Sequence, residues 1–508
     1  MNQTIIERLD QLAQTTPSAA WYDYNGEQST YEDLKIQSDR VALYLGQELH
    51  LTEKSPILVF GALEAEMIVA FISAIKAGHA YIPVDSHTPR ERLEQIISIA
   101  KPDLIIGMDE LPIELDESMS FISKIELNEI SQRSTNQVLD PAKAVTGNNN
   151  FYIIFTSGTT GVPKGVQISH DNLVSFTDWM FADFEIEGQQ RFLAQAPYSF
   201  DLSVMDLYPA LLSGSTLVPL EKEITNNFKQ LFTTLPTLAV TVWVSTPSFV
   251  NICLMDQNFT QSNYPDLKTF LFCGEELQSS TAILLNQRFP ESKVFNTYGP
   301  TEATVAITET RITSDITESY PRLPIGKVKK DTKVILVDEE LHPVPAGEAG
   351  EIVIIGPSVS KGYLNNPEKT VAAFYEVDGV PAYRTGDLGK FEGELLFYQG
   401  RLDFQIKLHG YRIELEDIDH NIEQVSYVKA ATVVPKLKEH KAQSLVAYVV
   451  AHPHSFEKDF QLTNAIKQEL APLIMDYMMP TKWIYVDHLP LTANGKVDRK
   501  GLMNEVNQ

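Results

Sequence analysis

Residues 156–165, TSGTTGVPKG, combine four hydroxyl side chains, three glycines and one lysine directly after the apolar segment FYIIF. Glycines let the backbone approach an anion closely and expose its N–H groups, hydroxyls donate hydrogen bonds, and a lysine supplies charge. A Walker A loop would need a Ser or Thr after the lysine and a helix to follow, whereas Lys164 precedes Gly165 and VQIS, which is typical of extended structure. The segment therefore predicts a polyphosphate-binding loop of another type, in preference to a Ser/Gly linker.

Two further segments carry side chains suited to the rest of a nucleotide. In NTYGPTEAT, residues 296–304, Tyr298 stands beside a Gly-Pro turn and could stack on a purine, while Glu302 could hold Mg²⁺ against phosphate oxygens. The alternatives are that Tyr298 only packs and that Glu302 caps a helix. In YRTGDL, Asp387 offers a carboxylate to two ribose hydroxyls, although this segment taken alone favours an ordinary Asp turn.

The elements that must position these side chains follow an alternating pattern. The apolar segment ILVFG precedes a helical pattern at Ile68, Phe71, Ile72 and Ile75, and YIPVD and DLIIG repeat the strand signal, each after a helix. VTVWV, TFLFC and KVFNTY indicate strands of a second sheet, so two βαβ-type sheets are predicted, with ligands at the carboxyl ends of the strands. We therefore expect an α/β fold, with an antiparallel β subdomain at about residues 332–402 and a small α+β unit after it.

Composition and charge exclude several classes of protein. The 508 residues carry a net charge of −26, which opposes nucleic-acid binding, and no apolar run approaches the roughly 18 residues of a membrane span. The N-terminus lacks a secretory signal, so a cytoplasmic protein without stable membrane insertion is expected. Cys253 and Cys273 are too few for a disulfide framework or a zinc cage and are interpreted as buried thiols.

Five motifs together make the sequence resemble the adenylate-forming superfamily of acyl-CoA synthetases, luciferases and peptide synthetase adenylation domains. The phosphate loop, NTYGPTEAT and YRTGDL are followed by GRLDFQIKLHGYRIEL, which resembles the hinge motif, and by LPLTANGKVDRK, which resembles the C-terminal lysine motif. The resemblance implies a large N-terminal core, residues 1–402, and a mobile lid, residues 403–508, that turns at Asp403. It also implies that a substrate carboxylate attacks the α-phosphate of ATP in the presence of Mg²⁺.

The resemblance assigns roles to individual residues. Lys496 and Glu302 are the expected catalytic residues. Lys496 is expected to offset the charge of two anions as they approach each other, and Glu302 is the expected magnesium ligand. Arg401 is expected to contact the ribose together with Asp387. The implied ATP-binding residues are Thr156, Ser157, Gly158, Thr159, Thr160, Lys164, Asn296, Thr297, Tyr298, Gly299, Thr301, Asp387, Arg401 and Lys496.

Asp201, in SFDLSVMDLYPALLSG, favours an amino acid as the substrate. It matches the aspartate that amino-acid-activating members pair with the substrate ammonium group, and a buried Asp requires a partner; otherwise it would be interpreted as a helix N-cap. The same resemblance describes a small apolar pocket that suits a methyl side chain, with Cys273 beside the methyl group. Its implied lining residues are Leu202, Met205, Leu271, Cys273, Thr297 and Val305.

Within the superfamily the chain resembles the free-standing ligases that load D-alanine onto the phosphopantetheine thiol of a carrier protein for teichoic acid D-alanylation. The implied partners are ATP, D-alanine and a D-alanyl carrier protein, and a monomer is expected. The acceptor thiol is expected on another molecule, because no carrier domain follows the lysine motif. Residues 404–508 hold 12 basic and 13 acidic residues, against 29 and 54 before them, so an acidic carrier is expected to dock on this near-neutral part.

Alternatives remain open at this point. A ligase for L-alanine or another small amino acid would need the same residues, because the two enantiomers carry identical groups. An acyl-CoA synthetase is disfavoured by Asp201, and a catalytically silent nucleotide-binding protein by the presence of Lys496.

Overall fold

The computed structural model describes residues 3–116, 119–158, 162–186, 188–438, 441–491 and 497–507. The chain divides into two compact units. The first unit comprises Met1–Ser86, Ala100–Ile154 and Val166–Gly400, and the second comprises His87–Ile99, Phe155–Gly165 and Arg401–Gln508. Two short segments that the sequence assigned to the N-terminal core are thus grouped with the second unit, whose last segment begins at Arg401. The predicted boundary at residues 402 and 403 stays a prediction.

The α-helices are distributed along the whole chain. Most are short, and α3 is buried along nearly its full length. The helices of the described residues are α1 (Ile5–Thr15), α2 (Tyr31–Gln47), α3 (Ala65–Ala77), α4 (Arg90–Ala100), α5 (Lys124–Gln132), α6 (His170–Asp183), α7 (Leu202–Ser213), α8 (Lys222–Thr225), α9 (Phe228–Thr234), α10 (Pro247–Cys253), α11 (Ser279–Arg288), α12 (Ser314–Ser319), α13 (Pro367–Ala373), α14 (Leu415–Glu423), α15 (Asp459–Leu470) and α16 (Arg499–Asn507).

The strands alternate with helices as far as β13 and become nearly continuous after it. The strands are β1 (Ala20–Tyr24), β2 (Glu27–Thr30), β3 (Ile57–Gly61), β4 (Tyr81–Asp85), β5 (Leu104–Gly107), β6 (Ser120–Ser123), β7 (Asn150–Thr156), β8 (Lys164–Ser169), β9 (Arg191–Ala194), β10 (Thr216–Pro219), β11 (Val242–Ser245), β12 (Thr269–Phe272), β13 (Lys293–Tyr298), β14 (Thr308–Arg311), β15 (Lys327–Val328), β16 (Lys333–Val337), β17 (Gly350–Ile355), β18 (Phe374–Val377), β19 (Val380–Glu392), β20 (Leu395–Arg401), β21 (Gln405–Leu408), β22 (Tyr411–Glu414), β23 (Val428–Lys438), β24 (Lys441–Ala451) and β25 (Lys482–Tyr485).

A six-stranded sheet has the order β6-β5-β3-β4-β7-β8, and its pairs β5–β6, β3–β5, β3–β4 and β4–β7 are parallel. Helix α3 is the crossover between β3 and β4, as the apolar pattern predicted. It ends at Gly78, which adopts a φ of 94° and donates its N–H to the carbonyls of Ala74 and Ile75. A Cβ at Gly78 would lie 2.9 Å from the Lys143 carbonyl oxygen, so this C-cap requires glycine.

A nine-stranded sheet has the order β15-β14-β13-β12-β11-β9-β10-β1-β2. Its central strands β1, β10, β9, β11, β12 and β13 pair in parallel, and β2, β14 and β15 add antiparallel edges. The predicted strands VTVWV, TFLFC and KVFNTY lie next to one another in this sheet. Helix α7 packs on it within the largest hydrophobic cluster, which also contains residues of the six-stranded sheet. This sheet therefore presents the loops after β12 and β13 together, as the parallel pattern predicted.

The remainder of the first unit is the predicted β subdomain. Its strands β16, β17, β19 and β18 pair antiparallel in that order, with β20 joined to β19. A small hydrophobic cluster that includes Tyr298, Ile352 and Tyr383 lies on one face of the subdomain. The subdomain therefore contributes to the surroundings of the NTYGPTEAT segment.

The segment of the second unit that begins at Arg401 is the predicted α+β element. It contains the hairpin β21–β22 and a three-stranded sheet of order β23-β24-β25. Helices α14 and α15 pack on one hydrophobic cluster of this sheet, and α16 packs on another through Leu502. Among the residues described in either unit, no helix has both the length and the apolar character that a bilayer crossing requires.

Candidate active site

The phosphate loop begins at Thr156, the last residue of β7, and returns at Lys164, the first residue of β8. The hydroxyl oxygen of Thr156 is buried and has no hydrogen-bond partner among the described residues. A Cβ at Gly158 would lie 2.1 Å from the Val162 carbonyl oxygen, so only glycine fits there. A buried donor without a partner beside a backbone that excludes side chains is what a phosphate-binding loop requires.

Other residues of the second unit hold the two ends of this loop. The Ser157 hydroxyl donates to the Arg412 carbonyl at 2.7 Å and accepts a hydrogen bond from the Glu414 N–H at 3.3 Å. The ammonium group of Lys164, which is only 8% exposed, lies 3.6 Å from a carboxylate oxygen of Glu414. Glu414, which also accepts a hydrogen bond from Gln405, is therefore an anionic partner of the loop lysine, and a polyphosphate would compete with it for this charge.

In the first unit, the side chains of Tyr298 and Asp387 are joined by a direct hydrogen bond. The Tyr298 hydroxyl donates to Asp387 Oδ2 at 2.5 Å, and the Asp387 N–H donates to Thr385 Oγ1 at 3.0 Å. Burial, followed by the Asp387 charge, raises the pKa of Tyr298 well above its ordinary value, so the phenol stays a donor. The predicted purine and ribose residues are thus mutually oriented, and Tyr298 both packs in the core and makes a specific polar contact.

The other predicted residues of NTYGPTEAT are buried and anchored by the backbone. The Asn296 side chain donates to the Pro324 carbonyl at 2.8 Å, and the Thr297 hydroxyl donates to the Phe272 carbonyl at 2.9 Å. At Gly299 a Cβ would lie 2.5 Å from Ala306 Cα, so a larger residue would displace the following loop. Thr301 begins a single 3₁₀ turn, Thr301–Ala303, and is 8% exposed.

Glu302 is fully buried, and its carboxylate accepts a hydrogen bond from the Tyr363 hydroxyl at 2.7 Å. Its backbone carbonyl also accepts a hydrogen bond from the Ser360 N–H. The described residues contain no cluster of three His, Cys, Asp or Glu side chains that could hold a metal. A lone oriented carboxylate suits Mg²⁺ bound to a nucleotide, because this ion commonly takes one or two carboxylates and completes its shell with phosphate oxygens and water. Glu302 therefore meets the chemical requirement for the predicted ligand.

The predicted substrate residues lie in one part of the first unit. Leu202, Met205, Leu271, Cys273 and Val305 all belong to the largest hydrophobic cluster. Thr297 stands near the carboxyl end of β13, which pairs with β12, the strand that directly precedes Cys273. Both cysteines are buried, as predicted. Residues scattered over a hundred positions of sequence thus belong to one large apolar group, in which Leu271 and Cys273 stand at the end of β12.

Asp201 occupies the N-cap position of α7, but its side chain makes no capping hydrogen bond. It is 8% exposed, and its charge contributes, after burial and Tyr81, to raising the pKa of Tyr152. The Tyr152 hydroxyl is itself buried without a hydrogen-bond partner among the residues described. The N-cap alternative is therefore not realised, and a buried carboxylate stands at the edge of the apolar group, where an ammonium ion would be favourable.

The backbone beside this group is strained. Thr304 and Val305 have φ values of 57° and 70°, a left-handed conformation that a β-branched residue rarely adopts. The Val305 carbonyl accepts a hydrogen bond from the Cys273 thiol, with an Sγ···O distance of 3.7 Å. The Thr304 hydroxyl donates a hydrogen bond to the Ser358 carbonyl at 2.7 Å. The turn after the 3₁₀ segment is thus held in an unfavourable shape that directs the Val305 carbonyl toward Cys273.

At the start of the last segment, Arg401 and Asp403 form a bidentate ion pair. The Arg401 Nε and Nη2 donate to the two Asp403 oxygens at 2.6 and 2.7 Å. Although burial opposes it, hydrogen bonding to Arg401 lowers the pKa of Asp403 below its ordinary value. The predicted hinge residue is therefore ionised and bound to the predicted ribose residue. The predicted residues Thr159, Thr160 and Lys496 lie outside the described residues.

Two residues near these groups were not predicted from the sequence. Tyr363 orients Glu302, and the only sequence signal would have been a tyrosine in the loop after β17 of the β subdomain. Asp206, on α7 directly after Met205, is 1% exposed, and neither carboxylate oxygen has a well-aligned hydrogen-bond partner in the described parts of the chain. Burial, only partly offset by the Leu207 N–H, raises the pKa of Asp206 well above its ordinary value. A charged residue in the run SVMDLY gave no indication of complete burial.

Comparison with known proteins agrees with this arrangement. Residues 9–364 match the family described as AMP-binding enzyme, and residues 417–496 match the AMP-binding enzyme C-terminal domain. Over 509 aligned positions and 100% of both chains, the sequence is 53% identical to a D-alanine–D-alanyl carrier protein ligase of Lacticaseibacillus casei (strain BL23). It is 51% identical, over 100% of both chains, to the protein of the same name from Listeria monocytogenes serotype 4a (strain HCC23).

Among solved structures, the fold matches a Vibrio cholerae adenylation domain, AlmE, solved in complex with glycyl-adenosine-5'-phosphate. The TM-score is 0.82 at 22% identity, over 100% of this chain and 98% of that one. At this identity the likeness concerns the fold alone, whereas the two ligases are similar to this chain throughout its length. The chain therefore belongs to the AMP-binding enzymes and, within them, to the family of the D-alanine–D-alanyl carrier protein ligases.

Proposed function

We propose that this protein activates D-alanine with ATP and transfers it to a carrier protein. In the first step a carboxylate oxygen of D-alanine bonds to the α-phosphorus of ATP, and the bond from that phosphorus to the bridging oxygen of pyrophosphate breaks. In the second step the thiolate of the carrier's phosphopantetheine attacks the carbonyl carbon of D-alanyl-AMP, and AMP leaves. The observation that carries the proposal is the buried Asp201 at the edge of the apolar group around Cys273.

We assign recognition of D-alanine to the first unit. Asp201 pairs with the substrate ammonium group, and the surrounding side chains, which are buried and apolar, suit a methyl group. Cys273, held against the Val305 carbonyl, faces the methyl group and contributes to the choice of the D enantiomer. One methylene in such a pocket changes binding by about 1–3 kcal/mol, so glycine and serine are expected to be poor substrates. The proposed lining residues are Leu202, Met205, Leu271, Cys273, Thr297 and Val305.

We assign the phosphates of ATP to the hydroxyls and backbone of residues 156–160 and to Lys164, and the ribose to Asp387 and Arg401. The buried hydroxyl of Thr156, for which the described residues offer no hydrogen-bond partner, supports the phosphate assignment. Glu302 would hold Mg²⁺, which supplies positive charge to the phosphate oxygens when bound. Tyr363 fixes the Glu302 carboxylate by donating a hydrogen bond to it, so the ligand is oriented before nucleotide arrives.

Lys496 is the proposed catalytic residue of the first step, because two anions must approach each other there. A cation placed between the carboxylate and the α-phosphate stabilises the charge that develops in the transition state. In the second step a thiolate attacks a carbonyl, and the same pair of anions no longer has to be brought together. We therefore expect Lys496 to matter for adenylation and much less for transfer.

The proposed partner is an acidic D-alanyl carrier protein that docks on residues 404–508, where 12 basic residues nearly balance 13 acidic ones. A carrier footprint confined to residues 1–403 would contradict this docking surface. The thioester would supply D-alanine for esterification of teichoic acids. Because ATP is provided in the cytoplasm, we place the reaction there.

The test is ATP–pyrophosphate exchange with Mg²⁺ across D-alanine, L-alanine, glycine, D-serine and a short fatty acid. Strong exchange with D-alanine alone supports the proposal. A preference for L-alanine or glycine would leave the adenylation chemistry in place but assign the enzyme to another carrier. Exchange with the fatty acid would favour an acyl-CoA synthetase, and no exchange with any acid would favour a silent nucleotide-binding protein.

A further inference from the structure

The described residues on the two sides of the segment that carries Lys496 are joined by backbone contacts within the second unit. Leu491 and Val497 form an antiparallel bridge, and the Asp498 N–H donates to the Pro490 carbonyl at 2.8 Å. Lys496 lies outside the described residues, but one peptide bond separates it from Val497, and that bond spans about 3.8 Å between Cα atoms. Val497 is therefore the described residue that is nearest to the lysine in sequence.

The next residue but one after Val497 is Arg499, the first residue of α16, and it is only 7% exposed. Its guanidinium Nη2 forms an ion pair with Asp419 of α14, and its Nε donates to Thr432 Oγ1 at 3.3 Å. Asp419 also accepts the Val433 N–H at 2.6 Å. This ion pair therefore joins the beginning of α16 to both α14 and β23.

The same guanidinium lies over the ring of Phe404, 5.0 Å from its centroid, and Phe404 directly follows the predicted hinge residue Asp403. An exposed ion pair would contribute little, because solvent screens it and the side chains remain mobile. A buried pair differs, because removal of either partner leaves an unpaired charge in the interior and the surroundings must rearrange. The Arg499–Asp419 pair therefore determines where the base of the segment lies in this unit.

We propose that Arg499, paired with Asp419, is a positioning residue for the adenylation step, because it fixes the base of the segment that carries Lys496. The proposal rests on the proposed function, in which Lys496 acts on the α-phosphate. Arg499 itself touches no substrate in this scheme. A shift of about 1 Å in a catalytic group can lower a rate roughly 10²-fold, so an anchor three residues from the lysine is expected to control the rate.

The test separates the two half-reactions in the full-length protein. Adenylation is measured by ATP–pyrophosphate exchange with D-alanine, and transfer by single-turnover loading of the carrier from supplied D-alanyl-AMP. For Arg499→Met we expect kcat of exchange to fall about 10- to 100-fold, with little change in KM for D-alanine or ATP and little change in transfer. Arg499→Lys, which retains the charge but not the planar fork, is expected to recover part of the exchange rate.

A matched control lies at the other end of the same helix. Asn507 accepts the Leu437 N–H at 2.6 Å and donates to the Pro435 carbonyl at 3.0 Å, so it also ties α16 to β23 but stands eleven residues from Lys496. Asn507→Ala should change exchange by no more than about twofold. If Arg499→Met fails to fold, the double variant Arg499→Met/Asp419→Asn removes both charges together and should still lose exchange while keeping transfer.

The outcomes distinguish this inference from the proposed function. Lys496→Ala is measured in parallel, and its loss of exchange establishes that the lysine assignment stands. If exchange then stays at the wild-type level in the Arg499 variants, or falls in parallel with transfer and thermal stability, the positioning role is overturned while the proposed function survives. If Lys496→Ala exchanges at the wild-type rate, the lysine assignment is wrong and this inference falls with it.

Discussion

The surroundings of Asp201 in the first unit and those of Val497 in the second unit are constructed in different ways. Around Asp201 the side chains stand on α7, β12 and β13 and are almost completely buried in the largest hydrophobic cluster. Around Val497 the contacts among the described residues include one bridge, one backbone hydrogen bond and the buried Arg499–Asp419 pair. The first region is fixed mainly by packing contacts, whereas beside Val497 the described contacts are polar and apolar packing resumes at Leu502 of α16.

This difference predicts different responses to substitution. A packed region resists displacement, so a change of one polar group there alters what is bound rather than where it is bound. A region held by a few polar contacts can shift when one of them is lost, so a change there alters a rate. Substrate affinity should therefore respond to Asp201, and the rate of one half-reaction to Lys496 and Arg499.

The largest effect is expected for Asp201→Ala. Loss of one partner of a buried charge pair costs about 2–5 kcal/mol, which corresponds to roughly 30- to 4,000-fold in the Kd for D-alanine. Calorimetric titration would measure it, with ATP affinity as an internal reference and Asp206→Asn, on the same helix, as the matched control. Unchanged D-alanine affinity in Asp201→Ala would remove the amino-acid assignment.

The next effect is expected for Lys496→Ala. Removal of one preorganised donor typically costs about 2.7–4 kcal/mol, so adenylation should slow by roughly 10²- to 10³-fold. Affinity for D-alanine should stay near the wild-type value, in contrast to Asp201→Ala. Rapid-quench measurement of D-alanyl-AMP formation would check this, and an affinity loss equal to the rate loss would erase the proposed contrast between the two ends.

A smaller effect is expected for Tyr363→Phe, which removes the hydrogen bond to Glu302 and leaves the ring in place. Hydrogen bonds to charged groups contribute about 1.5–3 kcal/mol, so the Mg²⁺ concentration for half-maximal exchange should rise roughly tenfold or more. Tyr375→Phe, in the same β subdomain, is the control and should not change it. An unaltered Mg²⁺ dependence in Tyr363→Phe would argue against Glu302 as the ligand.

The last effect, which leaves activity unchanged, concerns stability and its pH dependence at Asp206. Its pKa is raised in the folded protein by burial, so between the ordinary value of about 4 and the raised value the folded state binds the proton more tightly than the unfolded chain does. The contribution of Asp206 to the free energy of unfolding is therefore fully present at low pH and is lost as pH rises through this window. Asp206→Asn cannot ionise. From pH 5 to pH 8 the free energy of unfolding of the wild type should therefore fall relative to that of this variant, by at most about 1.4 kcal/mol per pH unit.

Denaturant titrations of both proteins across that range would measure the difference. A wild-type-to-variant difference that stays constant with pH would show that Asp206 does not titrate in the window. D-alanine affinity should be unchanged in Asp206→Asn, which separates a buried carboxyl that affects folding from the neighbouring one that is proposed to bind substrate.

Much of the architecture was predictable because it is encoded locally. The apolar period of α3 with Gly78 at its end, and the short apolar segments β3, β4, β11, β12 and β13, are visible in windows of a few residues and were confirmed. The motif order predicted the family correctly. The site assignments at Asp201, Glu302, Asp387 and Lys496 remain predictions.

The sequence by itself determined the elements, the family and the set of residues suited to the chemistry, because each depends on side-chain type and short spacing. Only the tertiary structure decided which of these residues are fixed by hydrogen bonds or ion pairs, and which partners supply those contacts. Tyr363 donates a hydrogen bond to Glu302, which is 61 positions away in sequence, and Arg499 pairs with Asp419, which is 80 positions away. Such pairings follow from sheet order and helix packing rather than from local pattern, and so does the complete burial of Asp206 in a run that looks no different from its neighbours.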